Sequence, residues 1–126
     1  MGKIGDITAQ GAAEVTVVIK SRINKLPPDT ALLDTGFSGF VLIPPSDADK
    51  LGFIEEDRSV MYLADGKRVN VLYAEGEVGV GGRVYGGLIG WLENSSDTDI
   101  IIGREVLQQA RVIIDYDAME ARAPQI

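Results

Sequence analysis

Asp34, Thr35 and Gly36 stand at the end of an apolar run, within the stretch ALLDTGFSGF at 31–40. A carboxylate delivered by such a run is costly to place unless its surroundings use it. Ala31, Leu32 and Leu33 carry the acid towards a buried place, and the Thr35 hydroxyl can hold a backbone group. Gly36 allows a backbone shape that other residues resist and lets a ligand come close. A plain turn also accounts for these three residues, because Asp often caps a turn and Gly often completes one. What decides the chemistry is what the chain lacks. It has no histidine and no cysteine. That excludes thiolate chemistry, Cys/His zinc sites and any His-dependent triad. Acid and base near neutral pH must then come from carboxylates, Lys or Tyr.

Other chemical candidates are weaker. The glycines at 76, 79, 81, 82, 86, 87 and 90 fit no phosphate-binding spacing and precede no helix, so they read as a Gly-rich hairpin. Asn94-Ser95-Ser96 has the form of a glycosylation acceptor but reads as a loop. The acids of Asp97-Thr98-Asp99 and Asp115-Tyr116-Asp117 match no calcium loop and read as solvated turns.

The elements that must position Asp34 are short. Residues 14–23 are β-branched and read as a strand, ended by Pro27 and Pro28. Residues 31–34 and 40–44 read as apolar strands flanking a turn at 35–39. Residues 46–52 read as a short helix with Ser46 as N-cap, Asp49 at the capping-box position and Gly52 past its end. Residues 58–73 read as a hairpin about a two-residue Asp65-Gly66 turn, and 74–92 as a second hairpin about Gly81-Gly82. A buried strand at 99–103, a helix at 104–110 and a strand at 111–116 follow, and the tail reads as an edge strand or as disordered. Many short strands, one or two short helices and no linker predict a mainly β, closed or sandwiched barrel. One domain over 1–126 is expected, with its core at about 14–116.

Net charge of −7 repels phosphate backbones and anionic membrane surfaces, so neither nucleic acid nor membrane is an expected partner. No apolar run approaches a membrane span. The first ten residues carry no hydrophobic signal segment, and Asp6 sits where a myristoylation site wants Ser or Thr. A cytoplasmic protein is the expectation.

Taken in order, ALLDTGFSGFVLIP, a hairpin with a glycine at its tip, and IIIGREVLQQARVIID resemble the retropepsin-like aspartic protease family, best known from retroviral proteases. The likeness spans about residues 14 to 116. It implies a closed acid-protease β-barrel and a homodimeric endopeptidase acting on peptide or protein substrates without cofactor or metal. Each subunit would give one aspartate, Asp34. Thr35 would lock the two active-site loops together across the dimer axis, and Gly36 would offer backbone contacts to the peptide. Phe37, Ser38 and Gly39 would adjoin the substrate, with Ala64, Asp65 and Gly66 as the flap tip closing over it. Ile101, Ile102 and Gly103 would brace the catalytic loop, and Arg104 would open a helix that stabilises the dimer. Two such acids a few ångströms apart cannot both ionise easily, so they share a proton.

The sequence departs from that pattern in places. Phe37 stands where many members carry a small residue, either narrowing the pocket or packing under it. Ser38 stands where viral members often carry an acid, so Arg104 needs another partner, with Asp99 and Asp115 as candidates. A weakly active or inactive peptide-binding or dimerisation module on the same fold is the alternative. An unrelated small β-barrel is the third reading.

Overall fold

The computed structural model describes residues 1–124. Ten strands and two helices follow one another along the chain. They are β1 (Gly2–Ile7), β2 (Ala13–Lys20), β3 (Asp29–Leu33), β4 (Val41–Leu42), α1 (Pro45–Leu51), β5 (Asp57–Tyr62), β6 (Arg68–Val80), β7 (Arg83–Leu92), β8 (Ile100–Ile102), α2 (Arg104–Gln109), β9 (Ile113–Asp115) and β10 (Glu120–Ala123). All strands join one sheet in the order β5-β6-β7-β4-β8-β3-β2-β1-β10-β9. An added β6–β2 pairing, from Val17 opposite Val80 to Lys20 opposite Glu77, curls it shut. The ring β2-β3-β8-β4-β7-β6 is thus a closed barrel, which leaves those six strands without open edges along the ring.

Alternation drives the closure. Along β2, Val15, Val17 and Ile19 point inward while their neighbours face out. They meet Phe40, Val41, Ile89, Ile100, Ile102 and Val106 in one core. Phe53 stacks on Trp91 at a centroid distance of 5.8 Å. β3 and β8 pair in parallel, Ala31 beside Ile100 and Leu33 beside Ile102, while β4 lies antiparallel to β8 on its other side. Three short apolar strands therefore lie side by side and end at one place.

Local details differ from the sequence reading. β6 is one strand of 13 residues shared by both hairpins, so the expected break between 73 and 74 is absent. Its outer hairpin does not turn on two residues. Leu63 N–H donates to the Lys67 carbonyl at 2.9 Å, enclosing Ala64, Asp65 and Gly66, and Gly66 takes φ of +83°. That is a three-residue loop whose last position needs the left-handed region. At Gly81-Gly82 both φ values are positive, +59° and +82°, as a tight two-residue turn between twisted strands requires. Helix α1 starts at Pro45, with extended Pro44 as its cap and no side-chain cap bond, so Ser46 is not the N-cap. Proline at the first helical position is already shaped for the helix and lacks an N–H to satisfy, which moves the start one residue back. Gly52 does end the helix, at φ of +71°.

The sheet also runs beyond the 14–116 stretch. β1 pairs with β2 and with β10, and β10 pairs with β9. The tail is therefore an inner strand through Ala123, seated by buried Ala121 and Ala123; residues 125 and 126 lie outside the described residues.

Candidate active site

Asp34 begins one residue beyond β3. Its N–H donates to the Ile102 carbonyl at 2.9 Å, which stitches the end of β3 to β8. Its own carboxylate folds back: Oδ1 accepts the Gly36 N–H at 2.8 Å, and the Asp34 carbonyl accepts the Phe37 N–H at 3.2 Å. This side-chain turn fixes the direction of the acid. Oδ2 has no partner among the described residues.

The loop is braced by α2. Phe37, Gly39 and Phe40 carbonyls accept the N–H groups of Arg104 (2.9 Å), Glu105 (3.1 Å) and Gly103 (2.9 Å). The first amides of any helix lack partners inside it, and α2 has no side-chain cap. Here the loop carbonyls supply those partners, so loop and helix fix each other. Gly103 is required at this contact. A Cβ there would overlap the Gly39 carbonyl and come within 2.6 Å of the Phe37 ring. The same ring lies 2.6 Å from where a Cβ on Gly39 would sit. Phe37 is thus packed between two glycines, which is how a bulky residue fits directly after Asp-Thr-Gly.

Asp34, Thr35 and Gly36 are exposed, and no charged side chain is buried among the described residues. The expected burial of the acid is not a property of the single chain. Leu33 is the last residue held in the sheet, Asp34 projects past its end, and nothing in the chain folds over it. The Thr35 hydroxyl likewise has no partner among the described residues.

A cleft of about 530 Å³ opens beside this loop. One wall carries Asp34, Gly36, Phe37, Ser38 and Gly39, with Leu42 and Ile101; the other is β5, from Ser59 to Tyr62, with Tyr73 of β6. Ser59 Oγ and Tyr73 OH share a hydrogen bond of 2.9 Å across that second wall. The tip residues Ala64, Asp65 and Gly66 are exposed and lie outside the lining. Reading the hairpin from its turn found the tip and missed the wall. The signal for the wall was the apolar Val60, Met61 and Tyr62 in a strand with an open edge. A second hollow, of about 210 Å³, lies on another side of Asp34 and Thr35, walled by Leu33, Ile114, Tyr116 and the Gly11–Ala13 turn.

Arg104 is exposed and makes no ion pair among the described residues. Asp115, one of its expected partners, is taken by Arg122 at 2.7 Å, and Asp99 makes no ion pair either. Asp115 Oδ1 also accepts the Ala118 and Asp117 N–H groups at 3.0 Å. The Ala118 bond, helped by the Arg122 charge, holds this carboxyl below its ordinary range. Among the described residues no group of three or more His, Cys, Asp or Glu is placed to hold a metal ion.

The model of the aspartyl protease family matches residues 7–106, which include Asp34, the β5–β6 hairpin and Ile102-Gly103-Arg104 behind the Asp34 loop. The chain belongs to the aspartyl protease family. No curated protein matches this sequence closely enough to count as a relative. Solved structures match this aspartyl protease chain in fold. A retropepsin-like aspartic protease from Rickettsia conorii aligns with a TM-score of 0.62 at 17% identity, covering 90% of this chain and 85% of that one. The EIAV protease in complex with an inhibitor aligns with a TM-score of 0.60 at 17% identity, covering 81% and 90%. The retroviral protease-like domain of Ddi1 from Leishmania major aligns at 0.55 and 16%, covering 88% of each chain. The fold is that of the retropepsin-like aspartic proteases.

Proposed function

We propose that this chain is an endopeptidase active as a homodimer, with one Asp34 from each subunit meeting across a two-fold axis. The observation that carries the reading is a single carboxylate, turned by Gly36 N–H and exposed on its loop, at the wall of a peptide-sized cleft. One acid per chain is half a dyad. The exposed Asp34 and Thr35 form a surface that a second copy would cover.

In the dimer the two carboxylates share one proton and titrate as a unit. The ionised one removes a proton from a water lying between them, and the water oxygen bonds to the peptide carbonyl carbon. The protonated one donates to the carbonyl oxygen. Collapse of the resulting diol breaks the C–N bond: the departing nitrogen takes the proton from the protonated carboxyl, one diol hydroxyl gives its proton to the ionised carboxylate as the carbonyl re-forms, and the dyad is left with its one shared proton. The substrate lies extended along the open edge of β5, its main chain pairing as an added strand. Phe37, Leu42, Val60, Met61 and Tyr62 give that strand mainly apolar neighbours.

Asp34→Asn tests the reading. It keeps the size of the side chain and an oxygen to accept the Gly36 N–H, but it cannot share the proton. Cleavage of a peptide library between about pH 4 and 7 should vanish while assembly persists. Cleavage surviving in the pure variant would falsify the assignment. Peptide binding without turnover in the unmodified chain would assign it to capture instead.

A further inference from the structure

The β5–β6 wall of the cleft carries two hydroxyls bonded to each other, Ser59 Oγ and Tyr73 OH, 2.9 Å apart. Register puts them on one face. Asp57 stands opposite Tyr73 and Ser59 opposite Val71, so Ser59 lies diagonal to Tyr73, within reach of its ring tip. The absence of a side chain sets where that ring lies. Tyr73 pairs with Gly90 of β7, and a Cβ there would come within 3.0 Å of Tyr73 Cε1 and Leu42 Cδ2 and within 3.1 Å of Val71 Cγ1. Tyr73, Leu42 and Val71 thus close over Gly90, and the Tyr73 hydroxyl is positioned by that contact. Phe37, Leu42, Met61 and Ile101 give the same cleft apolar surface.

The chemistry of the pair is the same whichever hydroxyl donates. Two hydroxyls hold two protons, and their mutual bond uses one. The accepting hydroxyl keeps a free O–H, and the donating one keeps free lone pairs. Neither has another partner among the described residues. The wall therefore shows a peptide one donor and one acceptor side by side. A primary carboxamide is the matching group, with an acceptor oxygen and an N–H donor on one carbon. A carboxylate only accepts and an ammonium only donates, so each meets one of the two hydroxyls wrongly. An aliphatic side chain leaves both unpaired. Asp34 and Asp57 also repel a carboxylate, and no cation lines the cleft to offset them. We infer that the Ser59–Tyr73 pair is a specificity-determining subsite that selects peptides with an asparagine or glutamine side chain against this wall. The inference rests on the endopeptidase reading above and adds its substrate class.

Peptide sets in which one residue at a time is varied through Asn, Leu, Asp and Lys test it. Asn, Leu and Asp share nearly one side-chain shape, so they differ in hydrogen bonding and charge. At one position of the peptide, kcat/KM should favour Asn over each of the other three by about tenfold. Tyr73→Phe removes one hydroxyl and keeps the ring over Gly90, and Ser59→Ala removes the other. In both variants the Asn-to-Leu ratio should fall to about one. That ratio compares two substrates of one protein, so any loss of folded protein cancels from it. An Asn preference that survives Tyr73→Phe overturns the inference, as does the lack of an Asn preference at every position. Dissociation constants of the same peptides on Asp34→Asn are a second readout, independent of turnover, and should show the same preference. Discrimination in binding with no cleavage by the unmodified chain would fault the protease reading alone. Cleavage without discrimination would fault this subsite alone, and peptides neither cleaved nor bound would overturn both.

Discussion

Gly103 carries more of the site than its lack of a side chain implies. It sits where the Gly39 carbonyl and the Phe37 ring leave no room for a Cβ, and its own N–H binds the Phe40 carbonyl. Backbone cannot yield as a flexible side chain can. Gly103→Ala should therefore destabilise the chain by about 1–3 kcal/mol, as overpacked sites do. Chemical denaturation measures it, and an unchanged midpoint would mean that the loop is not braced by α2. Phe37 shows the same geometry from the other side. The sequence left open whether its ring narrows the cleft or packs under the loop. The structure has it do both, since it lines the cleft while wedged between Gly39 and Gly103.

Among the elements, the β9–β10 hairpin holds a titratable clamp. Asp115 accepts two turn amides and pairs with Arg122, which also reaches Glu120 at 3.3 Å. Its folded carboxyl is held below the ordinary range, first by the Ala118 N–H. The proton is thus bound more weakly in the folded state than in the unfolded one. The clamp's contribution is complete above the ordinary carboxylate range and is lost as pH falls through the lower, folded value. Amide exchange at Ile113, Ile114 and Ala121 should accelerate over that acid window in the unmodified chain, and much less so in Asp115→Asn. Equal pH profiles for the two would remove Asp115 as the cause. Because Tyr116 walls the hollow next to Asp34, an acid-softened hairpin also loosens the surroundings of the acid.

For the whole molecule, the proposed dyad takes one Asp34 from each of two chains. Half a dyad does no hydrolysis, so activity per chain should fall on dilution as dimer dissociates. Plotted against enzyme concentration, initial rate should rise more steeply than linearly at the dilute end and become linear once dimer dominates. A strictly linear rate down to concentrations where only monomer remains would mean that one chain suffices. Net charge of −7 works against association through long-range repulsion. Added salt should therefore tighten the general encounter even as it screens any local ion pair.

The sequence by itself determined a mainly β fold, closed or sandwiched, because the β-branched run at 14–23 and three all-apolar segments at 31–33, 40–43 and 100–102 must be buried in a sheet, and the β6–β2 pairing of the tertiary structure decided that it closes. It also marked the acid and the glycine packed behind its loop, Asp34 and Gly103, since both are local signals of residue type. It did not reveal β1, and it left the tail as an edge strand or disordered, where the structure makes β10 an inner strand between β1 and β9. Nor did it tell that Asp34 stands exposed or that Asp115 already belongs to Arg122. Exposure and pairing depend on which distant segments fold over a residue, and that is settled only when the sheet has closed.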